Sequence, residues 1–391
     1  MRALTCGIAV AALVTAVALP GTAAAESAGT EYRSGRFVAA QPVRVHDSRS
    51  SGPVGSGQTA RIGLGTALPS EATAVVLNLT VLGATATTRL TAHTAGGERS
   101  GATVHLRPNE IRSAQVTVGI GALSAVDVHN SSGETHVIAD LVGYYQAGNG
   151  AGFHGATPVR VLDTRSSRSI PAGATRTVDF SARVPAGATA VTFLLTATGT
   201  SASHLTAWPA GRTRTAAATL HLPASEARTN LVTVALGERQ SVSLYNQAGY
   251  AHVQVDLVGY YTETGGAAFR ARAPVREYDS RADYANGMPG LPIPPRSRVS
   301  LSVAGSVPDD TTGVLLGVTG IEATETTYLT VWADARAPRP EVTAVSVPEN
   351  RTVANAVVLG LTPGDLVTVY NNAGRVHATV DLLGYFHTGA A

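Results

Sequence analysis

An all-β chain of three tandem antiparallel β-sandwich or jelly-roll-like domains is predicted here, on three observations. One phrase recurs at a fixed interval. Pro42-Val-Arg-Val-His-Asp-Ser-Arg49, Pro158-Val-Arg-Val-Leu-Asp-Thr-Arg165 and Pro274-Val-Arg-Glu-Tyr-Asp-Ser-Arg281 each begin 116 residues after the last. Between them lie short segments rich in Val, Thr and Leu, cut by Gly, Pro, Asn and Asp at a spacing of about 8 to 15 residues. No long segment carries a 3.6-residue hydrophobic period. Repeats this large are whole domains, since solenoid units run at roughly 20–50 residues.

The chain of 391 residues opens with Arg2, an apolar run Ala9 to Leu19, and the small residues Ala23-Ala24-Ala25. That pattern predicts a cleaved secretory signal over 1–25. The apolar run is short for a membrane span, so the mature chain is expected outside the cell and free of the membrane. The single cysteine, Cys6, falls inside this signal, so no disulfide is expected despite an oxidising destination. Residues 26–36 are polar and read as a flexible N-terminal segment. Three β-domains follow, at 37–146, 153–262 and 269–388, opening on Phe37, Phe153 and Phe269. The joints Ala147-Gly-Asn-Gly-Ala151 and Glu263-Thr-Gly-Gly266 read as linkers. Units of this length can each bury a core of their own. Short linkers favour a compact, pseudo-threefold arrangement. The formal net charge is +2, which gives no electrostatic footprint for nucleic acid. All basic residues are Arg, and Lys is absent.

The second repeat shows the strand pattern plainly. Its runs are Val159 to Asp163, Thr175 to Phe180, Thr189 to Thr196, Leu205 to Trp208, Ala218 to Leu222, Leu231 to Ala235, Ser241 to Tyr245 and His252 to Val258. Repeat one keeps this register. Repeat three has seven residues added before Pro308, in the Pro/Gly-rich stretch Asn286 to Pro295, and two more before Asp381. The longer insertion reads as an enlarged surface loop.

These phrases carry a resemblance. Arg160 to Arg165, Ala188-Thr-Ala-Val191, Tyr328-Leu-Thr-Val-Trp332 and Asp381-Leu-Leu-Gly-Tyr-Phe386 are similar to the repeat of a three-repeat secreted protein of actinobacteria, which is also found appended to secreted cell-wall hydrolases. The resemblance covers the whole mature chain and implies an extracellular, non-enzymatic β module. Repeat one departs from it, with His93 where Trp is expected.

Candidate functional residues follow from residue type. In the opening phrases, Arg44, Asp47 and Arg49, Arg160, Asp163 and Arg165, and Arg276, Asp279 and Arg281 place a carboxylate between two guanidiniums, which suits charge-assisted bidentate bonds. They read as structural ion pairs, with an anion or sugar-hydroxyl site as the functional alternative. On a regular strand, Asp163 and Arg165 share one side and Arg160 takes the other. The last-strand aspartates Asp140, Asp256 and Asp381 need partners if buried, and the opening-phrase arginine of the same repeat is the expected one. Alternation in Tyr328 to Trp332 sends Leu329 and Val331 to the core and turns Tyr328 and Trp332 outward. Trp208, Trp332 and Tyr328 are therefore candidate ligand-binding rings, together with Tyr245, Asn246, Tyr370 and Asn371 at two hairpin turns. His46-Asp47-Ser48 does not make a relay, because neighbours on one strand lack triad geometry and the matching positions are Leu162 and Tyr278. His105 and His221 have no second ligand at metal spacing. No catalytic residue, metal or cofactor is expected. The expected function is a secreted binding module for cell-wall polysaccharide or another extracellular glycan. The alternative is a structural component that engages a surface protein.

Overall fold

The computed structural model describes residues 32–282, 290–333, 336–362, 364 and 366–389. The expected signal over 1–25 lies outside the described residues, as do 26–31 and the first four residues of the Asn286 to Pro295 insertion. Among the described residues the secondary structure is strand, broken by two 3₁₀ turns at Ser48–Ser50 and Glu238–Gln240.

Each repeat builds two antiparallel sheets with the same strand order. In repeat one, Arg36–Asp47, His136–Gln146, Ala72–Leu82 and Ile111–Gly119 lie side by side in that order. The second sheet runs Thr59–Gly63, Ala125–Asn130, Thr88–Thr94 and Val104–Leu106. Repeat two repeats the scheme with Gly152–Asp163, Tyr250–Thr262, Ala188–Gly199 and Arg228–Ala235. Repeat three does so with Ala268–Asp279, His377–His387, Thr311–Ile321 and Val353–Gly360.

The resulting six sheets are arranged as a six-bladed β-propeller, two blades per repeat. This corrects the expectation of three tandem sandwich or jelly-roll-like domains. Independent units would close their cores within their own boundaries. Two clusters do stay within repeats two and one. A third crosses both boundaries, joining Phe37, Val76 and Tyr145 of repeat one, Phe153, Leu194 and Tyr261 of repeat two, and the core of repeat three. The strand Ala72–Leu82 shows why. Ten of its eleven residues are buried, so both of its faces are covered, as stacked blades require.

At the centre, each repeat's opening phenylalanine lies on the closing aromatic of the next. Ring centroids are 4.6 Å apart for Phe37 and Tyr261, 4.1 Å for Phe153 and Phe386, and 4.6 Å for Phe269 and Tyr145. Gly143, Gly259 and Gly384 precede these closing aromatics by two residues, and a Cβ on any of them would strike the Phe ring of the same repeat. The joints are more than linkers. Phe37 exchanges backbone bonds with Ala151, Phe153 with Ala267, and Phe269 with Gly35. That last pair ties the third repeat back to the first and closes the ring. Residues 32–36 therefore belong to the fold. The Ser34 hydroxyl is buried 2.6 Å from His387 Nε2 and accepts a bond from Arg270 Nε.

Side-chain amides seal the sheet edges across the repeat boundaries. Asn230 Oδ1 accepts from the Gln115 amide at 2.9 Å, and Gln115 Oε1 accepts from the Thr233 amide at 2.8 Å. Asn355 Oδ1 accepts from the Leu231 amide. Unpaired edge groups buried in a dry interface would be costly, and these bonds remove that cost.

Candidate ligand clefts between the repeats

The opening phrase positions two arginines in each repeat, the second of them half-exposed or more. In all three repeats the pairing with the last strand slips by one residue inside the phrase, between Arg44 and His46, Arg160 and Leu162, and Arg276 and Tyr278. Such a bulge reverses the alternation beyond it. Arg160 and Asp163 therefore meet on one side, at 2.9 Å between Nη1 and Oδ2, which corrects the opposite-sides expectation. Asp47 then caps a 3₁₀ turn that brings Arg49 back onto its carboxylate.

The result is a four-member relay in each copy. Arg44 Nε donates to Asp140 Oδ1 at 2.8 Å, Arg44 Nη1 to Asp47 at 3.2 Å, and Arg49 Nη2 to Asp47 at 2.6 Å. Arg160 holds Asp256 through Nε and Nη2, and Arg165 Nη2 reaches Asp163 at 2.6 Å. Arg276 Nε meets Asp381 at 2.5 Å, and Arg281 Nη2 meets Asp279 at 2.8 Å. The hydrogen bonds from Arg165 and Arg281 hold Asp163 and Asp279 down at about 2. Asp256 is fully buried, and burial raises it despite Arg160. The outer arginines stay available: the side chains of Arg165 and Arg281 are 60% and 50% exposed.

Two clefts open where these arginines face the next repeat. The first, of about 480 Å³, has Arg160, Arg165 and Gln254 on one wall and Tyr328, Arg339 and Glu341 on the other. Arg160 Nη2 crosses it to the Glu341 carbonyl at 2.6 Å. With its amide oriented to suit its neighbours, Gln254 accepts from Arg160 Nη2 and Arg165 Nη2, each at 2.9 Å. The second cleft, of about 460 Å³, sets Arg276, Arg281 and Asp381 of repeat three against Arg89, Arg99 and His105 of repeat one. It runs on into a smaller cavity of about 240 Å³ lined by Tyr32, His93, Arg272 and Leu383. The boundary between repeats one and two is tighter. Asn78 Nδ2 closes it on the Ala218 carbonyl at 2.5 Å, leaving a recess of about 20 Å³.

Of the aromatic and amide candidates, Tyr328 alone lines a cleft. Trp208 and Trp332 are buried, at 6% and 2% exposure, which corrects their reading as solvent-facing rings. The strand face opposite the core is itself covered here. Thr330, one residue pair from Trp332, is fully buried and bonds the Val342 carbonyl of the overlying loop. The Trp208 indole donates to the Arg212 carbonyl at 2.8 Å. Asn246 and Asn371 are also fully buried and work as clasps. Asn246 Nδ2 donates to the carbonyls of Ile170 and Gly249, and Asn371 Nδ2 to those of Ile293 and Gly374. Tyr245 and Tyr370 carry arginines on their faces, Arg214 at 3.6 Å and Arg339 at 4.4 Å from the ring centroids. They are not free stacking platforms. His46 is half-buried and its Nε2 has no hydrogen-bond partner among the described residues; burial lowers its pKa. Among the described residues, no group of three or more His, Cys, Asp or Glu could hold a metal, and no helix is long and apolar enough to cross a membrane.

Sequence reasoning missed Gln254, Arg89, Arg99 and Arg339. A signal for two of them was present. Arg99, Arg214 and Arg339 stand six, six and seven residues after His93, Trp208 and Trp332. That recurrence marks a basic hairpin loop in every repeat.

No protein-family model matches the chain, and no curated protein matches it. Among solved structures, it is similar to a chain in the atomic structure of Sulfolobus Turreted Icosahedral Virus, at 11% identity over 91% of this chain and 92% of that one, with a TM-score of 0.19. It is also similar to the N-terminal CBM22-1-CBM22-2 tandem domain of Xyn10C from Paenibacillus barcinonensis, at 8% identity over 93% and 99%, again with a TM-score of 0.19. Likenesses this slight carry no argument about fold or ligand.

Proposed function

We propose that the chain is a secreted, non-enzymatic binding module of the actinobacterial three-repeat kind, and that it holds a cell-wall or other extracellular glycan bearing acidic groups in the two arginine-lined clefts. One observation carries this reading. At two repeat boundaries, the same opening-phrase arginines stand half-exposed over a cleft and face further arginines from the next repeat. Their carboxylate partners fix the guanidinium planes and leave outer N–H groups for bidentate bonds to carboxylate, phosphate or paired hydroxyls. The test is retention of the mature chain on purified peptidoglycan and on a glycan array, beside an Arg165→Ala, Arg281→Ala variant with an unchanged melting temperature. Retention that weakens at least tenfold in the variant and falls with salt supports the reading. Equal retention by both proteins, or none on any glycan, overturns it.

The burial of Trp208 and Trp332 favours a second reading, a structural or protein-interaction component of the cell exterior. Without exposed tryptophans, stacking on sugar faces loses its strongest contributor. Cell-wall sacculi stripped of protein separate the two readings: a glycan binder stays on them, and a protein-binding component washes off.

A further inference from the structure

Where the strands Ile111–Gly119, Arg228–Ala235 and Val353–Gly360 begin, the three repeats bring their charges together. Glu110, Glu226 and Arg351 occupy matching positions, as do Arg112, Arg228 and Val353. Arg351 Nη2 pairs with Glu110 Oε1, which Arg228 Nη2 also approaches at 3.3 Å. Arg228 Nη2 reaches Glu226 at 2.8 Å, and Arg112 Nε stands 3.7 Å from Glu110, too far for a hydrogen bond. Arg107 also lies nearby, exposed, with Nη2 on the Asn350 carbonyl at 2.5 Å.

Three arginines against two glutamates leave this cluster with an uncompensated positive charge. Arg112 and Arg228 are 8% and 4% exposed. Nε and Nη2 of Arg112, and Nε and Nη1 of Arg228, have no hydrogen-bond partner among the described residues. Both guanidiniums border a cavity of about 20 Å³, which Ser113, His105, His221 and Thr229 also line. That volume is close to the minimum for one water-sized species. Burying guanidinium N–H groups that have no acceptor is costly even where a carboxylate stands near the same cation.

We propose that this cavity is a structural anion site, and that a chloride-sized monovalent anion held between Arg112 and Arg228 links repeats one and two. The two histidines on its wall do not supply the missing negative charge. His221 Nδ1 lies 2.8 Å from the Ser113 hydroxyl, and burial holds both imidazoles neutral, down at about 4. Burial raises Glu226, which weakens the acidic side of the cluster further. The cavity shares His105 with the second cleft and Glu226 borders the first, yet the test below reads anion binding and not glycan binding, so the two proposals can fail separately.

Crystals of the mature chain grown or soaked in sodium bromide provide the deciding measurement. An anomalous peak within hydrogen-bonding distance of Arg112 and Arg228 supports the site. A refined water there, or bromide at exposed arginines alone, overturns it. Thermal unfolding in sodium chloride and in sodium gluconate of equal ionic strength gives a solution readout. A saturable rise of roughly 1–4 °C in chloride is expected at about ten times the dissociation constant. That rise should vanish in Arg228→Met, and equal melting temperatures in the two salts for the unaltered chain count against the proposal. If Arg228→Met does not fold, the bromide map of the unaltered chain still decides.

Discussion

The hydroxyls of Tyr145 and Tyr261 meet at 2.7 Å in the centre of the ring, both fully buried. They come from different repeats and match Phe386 of the third, which has no hydroxyl. Two hydroxyls can satisfy each other and a third would compete, so the departure from threefold identity has a physical use. Burial pushes Tyr261 up to about 12 and Tyr145 well above the usual tyrosine range. Tyr261→Phe is expected to leave the Tyr145 hydroxyl unpaired and to cost about 1–3 kcal/mol by denaturant unfolding, whereas Tyr145→Phe, Tyr261→Phe together should cost less than the single change.

Gly143→Ala tests the packing at the same centre. Its Cβ would lie 2.6 Å from the Phe37 ring. The ring can move only by pushing on Tyr261 and Tyr145, so a loss of about 1–3 kcal/mol is expected. An exposed control with open space, Gly63→Ala, should change stability little.

Because one core crosses the repeat boundaries, the three repeats should unfold together. Calorimetry is expected to show one transition. Three separable transitions, or a cut-out 153–262 fragment as stable as the whole, would contradict the shared core.

Asp256→Ala should be strongly destabilising. It leaves Arg160 largely buried with its main carboxylate gone, a change that typically costs roughly 3–5 kcal/mol for a buried pair. Asp163→Ala removes a partner with more solvent around it and should cost less. Urea midpoints of the two variants check the order.

Acid should act in two stages. Burial pushes His105 and His221 down to about 4, below their unfolded value near 6.5. The unfolded chain then binds more protons between these values, so stability falls as pH drops from 6.5 to 4. A His105→Asn, His221→Asn variant should show a shallower fall. Asp163 and Asp279, held at about 2, contribute stability that is complete above about 4 and is lost as pH falls toward 2. Asp256, raised by burial, works in the opposite sense. Arg165→Ala, Arg281→Ala should flatten the lower stage.

Part of the site was legible in local chemistry. A buried carboxylate in an apolar strand needs a cation, and Asp140, Asp256 and Asp381 each meet the opening-phrase arginine of their own repeat. The side that Arg160 faces was not legible, because a one-residue slip leaves no mark in a strand's composition. Gln254 and Arg339 become neighbours only when repeats two and three meet.

The sequence by itself determined the copy number, the strands and their order of appearance, since β-branched runs and Gly/Pro turns act over a few residues. Each of the eight runs read in repeat two overlaps a strand, although Ala218, Thr219 and Phe180 fall just outside theirs and the two-residue strand Ile170–Pro171 is not among them. Only the tertiary structure decided that the sheets form blades around one centre, that Trp208 and Trp332 are covered, and that two boundaries open into clefts. The physical reason is that alternation states which residues share a face. It does not state what lies against that face, and here the second face is covered by a loop or by the neighbouring repeat.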